Sequence, residues 1–292
     1  MTILIVGNLG MLGTDLMREA VLHNAVAGVD RQDLDIADRE ACLAFLQSRR
    51  PGTVINAAAL TQVDYCETHE EEAFLVNGQG AGNLAEAAAS IGATLVHYST
   101  DYVFDGTKVD AYQEDDPPTP RSVYGRSKLC GEELIRLQGP NHLILRTAWL
   151  FGINGSNFIR TILSAAKRGQ SLRVVNDQTG SPTYSRDLAA YTMRIIEAGC
   201  RGTYHLTNSG SCTWFDLAAS AVKWAGMKNV EITPLATREI ARPAPRPANS
   251  VLSNAKLGRE GFPPMRPWQE AAREYVGLLE SSPSTIPDQE RR

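Results

Sequence analysis

No stretch of the chain approaches the ~18 unbroken apolar residues that a membrane-spanning helix requires, so no membrane role is expected. Cysteine is scarce and scattered: Cys42, Cys66, Cys130, Cys200 and Cys212 are odd in number and form no C-x-x-C pair. That argues against a disulfide scaffold or a zinc cage and points to a reducing, cytoplasmic setting. Positive charge is not in excess. Lys and Arg number 29 against 33 Asp and Glu, a net charge of −4, which leaves no field to hold a nucleic-acid backbone through counterion release. His23, His69, His97, His142 and His205 have no ligand spacing, so no metal is expected, and His97, inside an apolar run, reads as a satisfied core residue. There is no internal repeat and no low-complexity block. The opening Met1-Thr2-Ile3-Leu4-Ile5-Val6-Gly7 has no charged leader and reads as a first strand, not a signal peptide.

What is present is an ordinary apolar content of 43% over 292 residues, enough for one large α/β domain with an appended lobe. Short, nearly continuous apolar runs at 3–6, 25–29, 54–57, 94–98 and 143–146 read as buried strands. Helical patterns at 13–22, 38–48, 70–90 and 123–137 alternate with them, which predicts a doubly wound parallel sheet covered on both faces. Beyond Gly152 the period loosens. Helices are expected at 157–167, 187–197 and 268–279, with short strands at 172–175 and 203–206. The segment 238–247 is crowded with Pro and Arg and reads as an irregular loop, and 281–292 as a flexible tail.

Gly7, Gly10 and Gly13 follow the first strand directly and open the first helix. Glycines suit a tight turn that brings backbone N–H groups and a helix amino terminus against a pyrophosphate. Asp30 ends the second strand, about the ~20 residues downstream at which an acid accepts a ribose 2′-hydroxyl, as in NADH. Arg31 follows at once and can pair with the 2′-phosphate of NADPH, so both cofactors stay open. Asp35 can face the adenine or cap the next helix, for which Asp38 is the better cap; Asn56-Ala57-Ala58-Ala59 ends the third strand with small residues. These features assign 1–150 to a Rossmann-type dinucleotide-binding domain, with 184–208 returning to it. Residues 151–183 and 209–280 form a smaller α/β substrate-binding lobe.

Tyr124 and Lys128 are spaced Y-x-x-x-K on a predicted helix, a rise of ~6 Å that puts both on one face. A phenol has an ordinary pKa of ~10, and a nearby ammonium is expected to draw it down so that Tyr124 can act as a proton donor. Ser99, Thr100 and Asp101 end the fourth strand, where a hydroxyl can polarise a substrate carbonyl.

Four blocks carry a resemblance to a known family: Ser99-Thr100-Asp101-Tyr102-Val103-Phe104-Asp105-Gly106, Tyr124-Gly125-Arg126-Ser127-Lys128, the run from Arg146 to Gly152, and that from Asp177 to Thr183. In order and spacing they resemble the dTDP-4-dehydrorhamnose reductases of the extended short-chain dehydrogenase/reductase superfamily. The resemblance implies hydride transfer from NADPH or NADH to carbon 4 of dTDP-4-dehydro-L-rhamnose. It implies Tyr124 as proton donor, Lys128 as its partner and nicotinamide-ribose holder, Thr100 in the hydroxyl role, and Asp101 and Trp149 beside the sugar. Gly10, Met11, Leu12, Asp30, Asp35, Ile36, Ala59, Leu60, Thr61 and Tyr98 match positions lining the cofactor. Arg246, and with less support Arg242, fall in an Arg-Pro-rich segment suited to a substrate pyrophosphate. A homodimer is compatible with the family. The alternatives are an epimerase or dehydratase on the same scaffold, another 4-keto-6-deoxysugar reductase, or a non-catalytic dinucleotide-binding subunit.

Overall fold

The computed structural model describes residues 2–22 and 25–281; the expected tail from 282 onward lies outside them. Chain order begins with β1 (Thr2–Val6), α1 (Met11–Ala20), β2 (Ala25–Val29), α2 (Arg39–Arg49), β3 (Thr53–Asn56) and α3 (Val63–Thr68). A continuous helical stretch follows, from α4 (Glu70–Ala73) through a π-helical segment, Phe74–Gln79, into α5 (Gly80–Ser90). Next come β4 (Thr94–Thr100), a 3₁₀ turn at Asp101–Val103, α6 (Val123–Leu137) and β5 (His142–Thr147). The second half holds β6 (Leu150–Phe151), α7 (Phe158–Lys167), β7 (Leu172–Val175), β8 (Thr179–Gly180), β9 (Thr183–Tyr184) and α8 (Ser185–Glu197). It ends with β10 (Gly202–His205), β11 (Cys212–Thr213), α9 (Trp214–Trp224), β12 (Ile232–Leu235), α10 (Ala255–Arg259) and α11 (Trp268–Ser281).

Six strands form one parallel sheet in the order β10-β5-β4-β3-β1-β2. Parallel strands need crossovers, and the crossover helices cover both faces, so the inner strands can be apolar throughout. The alternation along β1 makes the two layers visible. Ile3 and Ile5 pack in one core with Leu12, Leu16, Leu188 and Ile195, while Leu4 and Val6 pack in the other with Leu46, Leu84, Ala88 and Ile135. Each of these leucine, isoleucine and valine side chains contributes about 1.5–3 kcal/mol on burial. The strand order reverses between β1 and β3, which opens a crevice at the carboxyl ends of the strands.

A third core, containing Phe151, Ile159, Leu217, Trp268 and Tyr275, sits under α7, α9 and α11 and the strand pairs β7–β12, β8–β11 and β6–β9. Two local expectations need correction. The stretch at 70–90 is not one α-helix, because the π segment divides it. The sequence reading also passed over α9, whose start carries a capping box between Thr213 and Asp216.

Candidate active site

The glycine turn is shaped by close approaches. Gly7 has φ 80, in the left-handed region, and a Cβ there would lie 2.8 Å from the Ala58 amide nitrogen. A Cβ on Gly13 would come within 2.0 Å of the Gly7 carbonyl oxygen, so α1 can approach the turn only because that position is bare. Gly10 is the N-cap of α1 and offers no side-chain hydrogen bond, leaving the first-turn N–H groups to another acceptor. Beside this turn lies a cavity of about 370 Å³ lined by Gly7, Gly10, Asp30, Arg31, Asp35, Ile36, Ala59 and Leu60 among others. The Asp30 carboxylate accepts from the Arg31 N–H at 2.7 Å, and Asp35 accepts from the Ala37 N–H at 3.0 Å, while Asp38 caps α2 by accepting from the Ala41 N–H.

Other expected residues stand outside the cavity wall. Met11 opens α1, Leu12 is buried in the core beneath it, and Thr61 is exposed just past Leu60. Tyr98 meets Lys128 through its backbone: its hydroxyl pairs with the Thr192 hydroxyl at 2.7 Å inside the core, while its carbonyl accepts from Lys128 Nζ at 2.6 Å.

Thr100, Asp101, Tyr124 and Lys128 come together where β4 ends and α6 begins. Ser122 caps α6 by accepting from the Gly125 N–H at 3.0 Å, and Glu67 accepts from the Val123 N–H at 2.8 Å, fixing the first turn that carries Tyr124. Gly125 lets α6 sit against the 3₁₀ turn, since a Cβ there would lie 2.1 Å from the Tyr102 carbonyl oxygen. Burial pushes the Tyr124 phenol upward, opposed by the nearby Thr100 hydroxyl and reinforced by the Asp101 charge. This corrects the expectation that a neighbouring ammonium draws the phenol down. Lys128 Nζ is engaged instead by the Tyr98 carbonyl and by His97 Nε2, 3.2 Å away. Burial lowers Lys128 to about 8, with Glu132 acting the other way. Asp101 is pushed up to about 6 by burial, against the pull of the nearby Ser250 and Thr100 hydroxyls; the Thr100 hydroxyl donates to its Oδ1 at 2.9 Å.

Trp149 enters from the end of β5 with φ 47, an uncommon conformation for a bulky residue. Its indole stacks on Trp214 at 3.5 Å between centroids, and a Cβ on Gly180 would collide with it at 2.2 Å. The Arg246 guanidinium is nearly buried and pairs with Asp64 Oδ2 at 2.8 Å, while the Ala244 N–H donates to Asp64 Oδ1 at 3.1 Å. Asp64 thus ties the Arg-Pro-rich segment to α3, close to Tyr102, whose phenol burial and the Asp101 charge push up against the pull of Arg246 and Arg242.

Several of these groups were missed from sequence. Glu72 and Val76 join the cavity wall from α4 and the π segment. Asn77 bridges the Leu60 N–H and carbonyl, at 2.8 and 2.9 Å, to the Ser127 hydroxyl of α6 at 3.1 Å. Only the capping box before Trp214 left a local signal; the Asp64–Arg246 pair is 182 residues apart.

Fold and site first define a class: a doubly wound sheet with a glycine turn at its switch point and a tyrosine–lysine pair after the fourth strand, as in short-chain dehydrogenase/reductases. Within that class, the chain belongs to the RmlD substrate binding domain family, whose profile matches residues 1–280. It is 42% identical over 277 residues to the spore coat polysaccharide biosynthesis protein SpsK of Bacillus subtilis, covering 94% of this chain and 96% of that one. A crystal structure of a dTDP-4-dehydrorhamnose reductase from Clostridium acetobutylicum superposes with a TM-score of 0.93 at 41% identity, covering 96% of this chain and 100% of the other. One from Bacillus anthracis, in complex with NADP, gives 0.92 at 36% identity, with 95% and 99% covered.

Proposed function

We propose that the protein reduces the 4-keto group of dTDP-4-dehydro-L-rhamnose to dTDP-L-rhamnose, using NADPH or NADH. The observation that carries this reading is the convergence of Thr100, Asp101, Tyr124 and Lys128 at one strand end. The cavity fits a dinucleotide: bare Gly7 and Gly13 give backbone room, and the uncapped start of α1 supplies donors for a pyrophosphate. A reduced nicotinamide reaching from this cavity toward Tyr124 would supply the hydride.

The protein's own groups do the rest. Tyr124 donates the proton that the new alcohol oxygen requires, and burial keeps the phenol protonated at neutral pH, the state a donor needs. Thr100 steadies the carbonyl oxygen by turning its hydroxyl proton from Asp101 Oδ1 to the substrate. Lys128, with Nζ engaged by the Tyr98 carbonyl and His97, would hold the nicotinamide ribose with its remaining hydrogen. Trp149, clamped by Trp214, presents an apolar wall to the deoxysugar, and Arg246 with Arg242 recognises the diphosphate. Residues 1–150 and 184–208 then serve the dinucleotide, and 151–183 with 209–280 the sugar nucleotide. The cytoplasm suits five cysteines that are all unpaired.

Purified protein offered dTDP-4-dehydrorhamnose should oxidise either reduced cofactor in proportion to dTDP-rhamnose formed. Turnover without net oxidation would assign an epimerase instead, and inactivity with intact dinucleotide binding would assign a regulatory subunit. Asp30→Ala should raise the relative efficiency with NADPH by removing like-charge repulsion with the 2′-phosphate; an unchanged ratio would take Asp30 out of cofactor selection.

A further inference from the structure

His97 was expected to be an ordinary core residue. It is 1% exposed, yet both ring nitrogens are engaged: Nε2 lies 3.2 Å from Lys128 Nζ, and Nδ1 lies 3.1 Å from Asn56 Nδ2. Asn56, also buried, ends β3, and its Oδ1 accepts from the Ala58 N–H at 3.0 Å. Ala58 is part of the cavity wall.

The donors and acceptors in this row allow only two consistent arrangements. A backbone N–H can only donate, so the Asn56 oxygen faces Ala58 and its NH₂ faces His97. Nδ1 must then accept, which places the proton of a neutral imidazole on Nε2, aimed at Lys128. That contact is favourable only when Lys128 is an uncharged amine. A charged Lys128 donates to Nε2, moves the imidazole proton to Nδ1, and requires the Asn56 oxygen to turn toward His97. The Ala58 N–H is then released. One proton enters from solvent at Lys128, and His97 stays neutral in both arrangements, as its burial and the neighbouring ammonium require.

We propose that His97 is a positioning residue: with Asn56 it couples the charge of Lys128 to the Ala58 amide, so that an acceptor claiming that amide from the cavity draws a proton onto Lys128. The coupling rests on the reductase reading only in giving Lys128 a purpose. By reciprocity, protonation of Lys128 favours an acceptor at Ala58. The other charges bearing on Lys128 come from its own helix and from β5: Glu132, shared by Arg146 and Arg136. From β4 it meets His97 and the Tyr98 carbonyl.

The test uses ¹⁵N-histidine-labelled full-length protein, in which nitrogen shifts report the tautomer directly, the His97 signals being assigned by their loss in His97→Gln. The expected result is an Nε2–H form at high pH that passes to Nδ1–H as Lys128 titrates at about 8. Saturating NADP⁺ at mid-transition should shift the balance further toward Nδ1–H, and Lys128→Met should hold Nε2–H at every pH. A tautomer independent of pH and of NADP⁺, or an unaltered transition in Lys128→Met, would overturn the proposal. These readouts need no turnover, so they stand apart from the fate of the reductase reading. In the enzyme, His97→Gln retains one polar contact but cannot serve Lys128 and Asn56 together. It should displace the basic limb of the kcat profile while leaving the KM for the sugar nucleotide unchanged; an unmoved limb counts against the coupling.

Discussion

Arg146→Met removes the cation from a fully enclosed ion pair. Arg146 is 2% exposed and Glu132 0%, with Nη2–Oε2 at 2.7 Å and Nε–Oε1 at 2.9 Å, a two-pronged contact. Stripping one partner from such a pair costs about 3–5 kcal/mol, because the other charge stays buried without compensation. Here Glu132 keeps Arg136 at 2.6 Å, but that guanidinium is 37% exposed and partly screened. The expected loss is therefore near the lower end, about 3 kcal/mol. The sign of the pH dependence gives a second signature. In the native protein, Arg146 and Arg136 hold Glu132 below its ordinary value despite burial. That stabilisation is present above the unfolded value of about 4.3 and fades as pH falls through the folded one. In Arg146→Met, burial prevails and the carboxyl rises above its unfolded value, so acid relieves the penalty. Urea unfolding of both proteins should show a gap that is widest near neutrality, narrows as pH falls toward the unfolded value of about 4.3, and closes only below it. Adding Glu132→Leu should recover most of the loss at neutral pH. A single-variant loss under about 1 kcal/mol, or a gap of equal size above and below the unfolded value, would refute the account of Glu132 as a charge dependent on Arg146.

Tyr124→Phe should lower kcat by about 100-fold or more with cofactor affinity nearly unchanged, as measured by NADPH fluorescence and steady-state turnover; an intact rate would remove Tyr124 from the chemistry. Gly180→Ala should force the Trp149 indole off its stack on Trp214, raising the KM for the sugar nucleotide while sparing dinucleotide binding; unchanged kinetics would mean that Trp149 does not meet substrate. Asp101→Asn should stabilise the fold above pH 6, by up to about 3 kcal/mol for a shift from 3.8 to about 6, while slowing turnover. The raised carboxyl costs stability only where it is ionised, so denaturant titrations should find the gain gone below the unfolded value; a gain persisting there would point to packing instead.

Much of this architecture could be read from local pattern. The strands of the main sheet are short apolar runs because both faces of a parallel sheet are dry, and the turn at Gly7 stands between an unmistakable strand and helix. Asp38 and Asn157 announce their helices as caps. Depth is what the letters conceal. The Y-x-x-x-K spacing puts Tyr124 and Lys128 on one face but not which neighbour each would prefer. Lys128 turned to His97 and the Tyr98 carbonyl, 31 and 30 residues away, and burial reversed the expected effect on the phenol. Likewise the resemblance places Tyr98 against the cofactor, yet strand alternation sends its ring to the far side of the sheet.

The π segment at Phe74–Gln79 has a consequence for how this region tolerates change. An ordinary helix advances about 100° per residue, and one extra residue accommodated by wider winding offsets everything before it from everything after. Glu72 and Val76 are thereby presented to the cavity, while Leu84, Ala85 and Ala88 remain in phase with α2 and the sheet. Excising one residue from 74–79 would restore regular winding and swing one half out of alignment with its partners. The count of residues there, more than their identity, is the quantity under constraint, so substitutions should be absorbed where a one-residue deletion is not.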